Sequence, residues 1–298
     1  MLVLIFLLSL VFLGMEIYFR FYFNSTDSFS ISKVSEKWYG NNWATNNWGF
    51  RDNMDYKLNI EQAKKRISFL GDSFTAGHGV AIDETFFMKI RKDNPAIEIH
   101  SLAQPGYDTP DEISMLNDLL RKGYVPDTIV LIYNLNDIVP YMSKWRQPAH
   151  LQTGTDKQGF LVNHSYFVNF LYWRYRVKSN PGLSNYYSVV GKLYNSTEWT
   201  HQKKDLLTLK NTVESHGGSL MAVTFPFLHF NPKDYPYKGI HQNIEQFWIN
   251  QNVPHLDLFE AFQKENTMRI VVNKFDRHPN AIAHAIASKE IEKFIFSN

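Results

Sequence analysis

Five short apolar runs recur along the chain from residue 67 onward, and stretches with helical spacing separate them. The runs are residues 67–70 (ISFL), 97–102 (IEIHSL), 128–133 (TIVLIY), 219–225 (SLMAVTF) and 253–259 (VPHLDLF). Each is too short for a helix, and 128–133 is the clearest of them, apolar at successive positions from Ile129 onward as a strand covered on both faces must be. Between them, 84–91, 110–123, 202–215, 240–250 and 279–296 carry helical patterns. Asp111 and Glu112 suit a first turn, Gly123 a helix end, and Pro279 a first helical position. Strand and helix in alternation predict a parallel sheet with helices on both faces. Five such strands predict an α/β fold, a flavodoxin-like three-layer α/β/α sandwich with a five-stranded parallel sheet. With 44% hydrophobic and 20% charged residues over 298 positions, the chain can bury a sizeable core, which excludes wholesale disorder.

The first 23 residues follow another pattern. From residue 2 to 23 only Glu16 and Arg20 carry charge. As a helix this stretch spans about 33 Å, close to a bilayer's hydrocarbon thickness. Phe19, Phe21, Tyr22 and Phe23 gather at its end like an interfacial aromatic belt. No Lys or Arg precedes the run and no A-x-A site follows it. The reading is an uncleaved transmembrane helix, with a cleaved signal or a buried core helix as alternatives. A membrane is thus an expected partner.

Residues 24–45, rich in Ser, Asn and Trp, read as a linker or arm, and 46–298 as the main domain. Within it, 138–200 breaks the alternation and is dense in aromatic residues, so it reads as an inserted cap or lid. Leaving the sheet at its carboxyl edge, this insertion is expected to meet substrate, with Trp145 and Trp173 as contacts. Its stretch 166–178 (YFVNFLYWRYRVK) suits a membrane surface, sugar stacking or a packed cap core.

Composition narrows function by exclusion. Lys and Arg total 31, Asp and Glu 29, and no long basic run occurs, so no footprint for nucleic acid exists. Cysteine is absent, which removes disulfides, thiolate metal sites and cysteine nucleophiles. No HExxH-type spacing is present, and no metal or other cofactor is expected. Nothing in the sequence bears on oligomeric state.

The chemistry begins at residues 71–77 (GDSFTAG), directly after the first strand. A serine there sits at the carboxyl edge of the sheet, where doubly wound folds bind ligands. Its backbone N–H lies at a helix N-terminus, whose dipole favours negative charge. Both features suit a nucleophile whose attack creates an oxyanion. The Lys of a GxxxxGK[ST] phosphate loop is missing.

GDSFTAG resembles the first block of the SGNH (GDSL) hydrolase family. Three more blocks follow in family order: 103–107 (AQPGY), 134–137 (NLND) and 276–280 (DRHPN). The likeness covers about residues 44–137 and 270–297. It implies that Ser73 is the nucleophile, His278 its general base and Asp276 the acid that orients the imidazole. It also implies an oxyanion hole made from the N–H groups of Ser73 and Gly106 and the side-chain amide of Asn136. Two departures stand out. Asn134 occupies a place where the family usually has Gly, and the acid precedes the His by two residues, where many members have three. Upstream, 46–52 (NNWGFRD) and 80–86 (VAIDETF) resemble a membrane-anchored bacterial subgroup. Arg51 there reads as a buried anchor for the arm.

The implied activity is cleavage of acyl esters, first of all O-acetyl groups on cell-surface glycans, through an acyl-Ser73 intermediate. An acylated small molecule or glycan is the implied substrate, and the implied location is a membrane-anchored, extracytoplasmic one. The same residues serve an O-acyltransferase, and a non-catalytic glycan-binding or assembly factor is the rival of another class.

Overall fold

The computed structural model describes residues 1–60, 65–141 and 158–297. They form two compact units, one from residues 44–146 with 187–298, the other from 1–43 with 147–186.

The larger unit is built on the expected α/β plan. Strands β1 (Arg66–Gly71), β2 (Glu98–Ala103), β3 (Thr128–Asn134), β4 (Ser219–Phe225) and β5 (His255–Asp257) form one sheet in the order β2-β1-β3-β4-β5. Every pairing is parallel. Side chains alternate across the sheet, so each strand feeds both layers. On one face Phe69, Val130, Ile132 and Val223 pack with Phe86, Phe87 and Ile90 of helix Phe86–Asp93 and with Ala283, Ala287 and Ile291 of helix Ala281–Ser297. On the other, helix Thr197–Ser215 buries Leu206, Leu209 and Val213 and lies against β4 and helix Thr109–Arg121.

The register brings Gly71 level with Ala103 on β2 and Ile132 on β3, so β1 and β2 end side by side and β3 runs two residues further. A side chain on Gly71 would meet Thr75 Oγ1 at 2.3 Å and the carbonyl oxygen of Ile132 at 3.1 Å. Only a glycine lets the first strand turn that tightly against its neighbour.

Two of the boundaries that differ from expectation have a plain local cause. The fifth strand is three residues long, because the Asp257 carboxylate accepts the N–H of Phe259 at 2.9 Å and turns the chain into helix Phe259–Phe262. Pro279 does not open the last helix. It ends β7 (Asp276–Pro279), which pairs antiparallel with β6 (Val271–Asn273). Asn280 caps the helix instead, its side-chain oxygen accepting the N–H groups of Ile282 and Ala283 at 3.0 and 3.1 Å.

The smaller unit begins with helix Leu2–Ile17, continued by a wider turn over Tyr18–Tyr22. Leu2–Tyr22 is long and apolar enough to cross a membrane, and almost all of it is uncovered by protein. Where the sequence reads as linker, helix Lys33–Asn42 forms, with Ser32 as its cap and Val34 and Trp38 turned inward at i and i+4. From the aromatic insertion come helices Phe160–His164, Tyr166–Ser179 and Pro181–Ser184. Trp173 is buried inside this unit and is therefore a packing residue, contrary to the expected substrate contact. Trp145 lies outside the described residues.

Candidate active site

β1 runs straight into a four-residue helix, Ser73–Ala76. Asp72 caps it, its side chain accepting the Phe74 N–H at 2.8 Å. Ser73 is thus the first helical residue, with its own N–H at the positive end of the turn. The turn closes at Gly77, whose φ of +78° suits glycine and whose missing side chain leaves room for Thr85 and Arg51. Arg51 is buried and donates to the carbonyls of Ala76, Gly77 and Val80 at 3.0, 2.5 and 2.7 Å. Arg51→Met should leave three carbonyls short of a donor and cost about 3 kcal/mol or more. A melting temperature equal to the parent's would refute that role.

Ser73 Oγ lies 2.9 Å from His278 Nε2. His278 Nδ1–H donates to Asp276 Oδ1 at 2.6 Å, so Nε2 is left as the acceptor for the serine hydroxyl. Asp276 and His278 sit two apart on β7, on one side of the strand. Asp276 is fully buried. Burial alone would raise its carboxyl, but His78 and His278 outweigh it and hold the group well below the usual carboxylate range. Asp276 is therefore ionised, and its stabilising share is present above its ordinary value of 3.8 and is lost as pH falls through the lower folded value.

His78 is the member the sequence reading passed over. Its Nε2–H donates to Asp276 Oδ2 at 2.8 Å, and its ring lies 4.1 Å from that of His278 between centroids. It is as buried as Asp276 and is held by its own backbone, whose N–H reaches back to the carbonyl of Ser73. The only available signal was its place one residue past Gly77, at the end of the Ser73 turn; its partner is 198 positions away.

Gly106 and Asn136 follow the ends of β2 and β3, the strands that flank β1. Gly106 has φ of +83° with open space where a side chain would sit. Asn136 Nδ2 donates to Asp72 at 3.4 Å, which ties it to the cap of the Ser73 turn. Asn134 is fully buried, and neither atom of its amide has a partner among the described residues.

Behind the turn lie three wholly buried carboxyl groups, Asp72, Glu112 and Asp137. Burial raises all three, and mutual repulsion pushes Glu112 and Asp137 well above the ordinary range. A carboxyl whose pKa rises on folding contributes fully below its unfolded value, near 4.5 for Glu112, and loses that contribution as pH climbs toward the folded value. Glu112→Gln mimics the neutral form, so the variant should lose less stability than the parent as pH rises above that unfolded value. Urea midpoints that fall in parallel for both proteins would refute it. His284 is buried, stacks on Phe86 and accepts the Phe86 N–H at 3.2 Å.

His78, Asp276 and His278 are also the described residues whose nitrogen and oxygen atoms lie close enough together to hold a metal ion. The same three side chains are joined by the hydrogen bonds above.

No protein-family model and no curated protein sequence matches the chain. Solved structures do. The chain is similar to a lipase/acylhydrolase from Enterococcus faecalis at 15% identity, over 78% of this chain and 96% of that one, with a TM-score of 0.47. It is similar to a lipolytic protein of the G-D-S-L family from Veillonella parvula at 15% identity, over 79% and 100%, with a TM-score of 0.46. It is also similar to the acetyl xylan esterase AlAXEase at 15% identity, over 76% and 97%, with a TM-score of 0.45.

Proposed function

We propose that the chain is a serine esterase of SGNH type that cleaves acyl esters, first of all O-acetyl groups on cell-surface glycans. One observation carries the reading: Ser73 Oγ, the His278 ring and the Asp276 carboxylate form a continuous relay at 2.9 and 2.6 Å. Such an arrangement has a chemical use for each atom. Ser73 Oγ attacks the acyl carbon while His278 Nε2 takes its proton. Asp276, ionised and hydrogen-bonded to Nδ1, stabilises the imidazolium that forms. The N–H groups of Ser73 and Gly106 and the Asn136 amide receive the developing oxyanion. Collapse breaks the ester C–O bond, and His278 returns the proton to the departing alcohol. Water then repeats the sequence on the acyl-Ser73 ester, releasing the acid and restoring the hydroxyl.

The glycan target draws support from the sequence resemblance to membrane-anchored members at residues 46–52 and 80–86. In this reading residues 1–23 tether an extracytoplasmic domain. A fluorophosphonate probe on the detergent-solubilised full chain tests the chemistry. A covalent adduct should map to the peptide containing Ser73. An adduct confined to another serine, or none on protein that hydrolyses an aryl acetate, would overturn the assignment.

A further inference from the structure

The end of the apolar helix is built into the smaller unit. The Glu16 carboxylate accepts from Ser165 Oγ at 2.7 Å and from the N–H groups of Tyr166 and Phe167 at 3.1 and 3.0 Å. Those N–H groups are unpaired donors of helix Tyr166–Ser179, so a residue of the first helix caps a helix about 150 positions later. Arg20 bonds Glu16 at 2.6 Å and donates to the carbonyl of His164 at 2.8 Å. Lys37 Nζ closes the helix end, donating to the carbonyls of Phe19, Arg20 and Phe23 at 3.0, 2.9 and 3.0 Å.

Ring contacts set the two segments in register. Phe167 lies 5.9 Å from Phe12 between centroids, Phe170 lies 4.6 Å from Phe19 and 5.6 Å from Phe23, and Arg174 meets Asp27 at 3.5 Å. Both segments therefore run outward together, apolar at one end and charged at the other. At ~1.5 Å per residue, Glu16 lies about 9 Å and Phe12 about 15 Å before Tyr22. For a helix that fills a hydrocarbon layer of about 30 Å, Phe12 is near the midplane and Glu16 is below the headgroups. A glutamate at that depth needs the partners it has here. The corner between helices Phe160–His164 and Tyr166–Ser179 is fastened at the same depth. Its largest outward side chains are apolar, Phe160 at 74% exposed and Leu161 at 60%, while the exposed polar Asn163 and His164 turn back onto the carbonyls of Gln158 and Phe160 at 3.0 and 2.8 Å.

We propose, independently of any ester chemistry, that this corner is sunk in the same bilayer leaflet as the N-terminal helix, with Phe160 and Leu161 facing lipid acyl chains and Glu16 as the joint. The mature protein then retains its first helix. Removing residues up to 23 would strip the cap from helix Tyr166–Ser179 and expose Phe167 and Phe170.

The chain has no cysteine, so single-cysteine labelling is clean. The full chain bearing F160C, L161C or K178C carries an environment-sensitive nitrobenzoxadiazole label and is reconstituted into phosphatidylcholine vesicles containing phosphatidylglycerol. Labels at 160 and 161 should emit blue-shifted and be quenched several-fold more by acyl-chain nitroxides than by aqueous iodide. The label at 178, at the charged end of the helix, should show the reverse. Iodide quenching at 160 and 161 equal to that at 178 would overturn the placement. The three sites are exposed, so their substitution does not threaten folding. Intact mass of the unlabelled parent extracted from membranes should include Glu16, and a mature chain starting after it would overturn the joint.

Discussion

Ser73→Ala should lower kcat for a short-chain aryl acetate by about 10³-fold or more while leaving the fold intact. Oγ is the single atom removed. The turn that presents it is made by Asp72, Gly71, Gly77 and Arg51, none of which relies on the hydroxyl. The melting temperature should therefore stay close to the parent's. Members of a relay act as a unit, so His278→Ala on top of Ser73→Ala should add little further loss. A Ser73→Ala protein of high purity that keeps the parent rate would remove the serine from the mechanism. A double variant whose losses multiply would show that Ser73 and His278 act separately despite their 2.9 Å contact.

Asp276→Asn should be nearly as damaging, by about 10³- to 10⁴-fold in kcat. The carboxylate does two jobs that an amide cannot combine. It holds Nδ1–H of His278, which sets the tautomer, and in the proposed mechanism it carries the negative charge that stabilises the imidazolium. It also accepts from His78 on its other oxygen. An amide offers one acceptor and one donor, so one of the two imidazoles must change tautomer or lose its bond. If the amide nitrogen turns toward His278, Nδ1 becomes the acceptor and Nε2 keeps the proton, which blocks acceptance from Ser73. KM should move far less than kcat, because Asp276 is fully buried. A loss expressed mainly in KM would show that the group shapes binding instead.

Much of the fold was legible because parallel strands covered on both faces must be apolar at successive positions, which 128–133 and 219–225 show plainly. β5 was read too long, since Val253, Leu256, Leu258 and Phe259 give 253–259 a strand-like pattern while the turn at Asp257 depends on one side-chain hydrogen bond. Pro279 misled for a similar reason: proline suits a helix start, but here pairing with Val271 takes it into a strand. At the site, Ser73, Gly106, Asn136, Asp276 and His278 each lie in a short block with its own local spacing. His78 has no such block, and only the tertiary pairing with Asp276 distinguishes it from the other histidines. The same limit hid the smaller unit. Glu16 looks like a stray charge in an apolar run until Ser165, Tyr166 and Phe167 fold against it.

His78 changes what kind of object the site is. Two chain segments meet there, the turn from Ser73 to His78 and the strand that carries Asp276 and His278. A single link between two bodies sets a separation and leaves them free to swivel. Here the links are two and crossed: Ser73 to His278, and His78 to Asp276. Two attachment points about one turn apart fix the angle as well as the gap. When the first of these links opens, as the proposed acylation of Ser73 requires, the second still ties the two segments together. The second link does not take part in that step, so it can act as the hinge pin that brings the imidazole back into line for the attacking water.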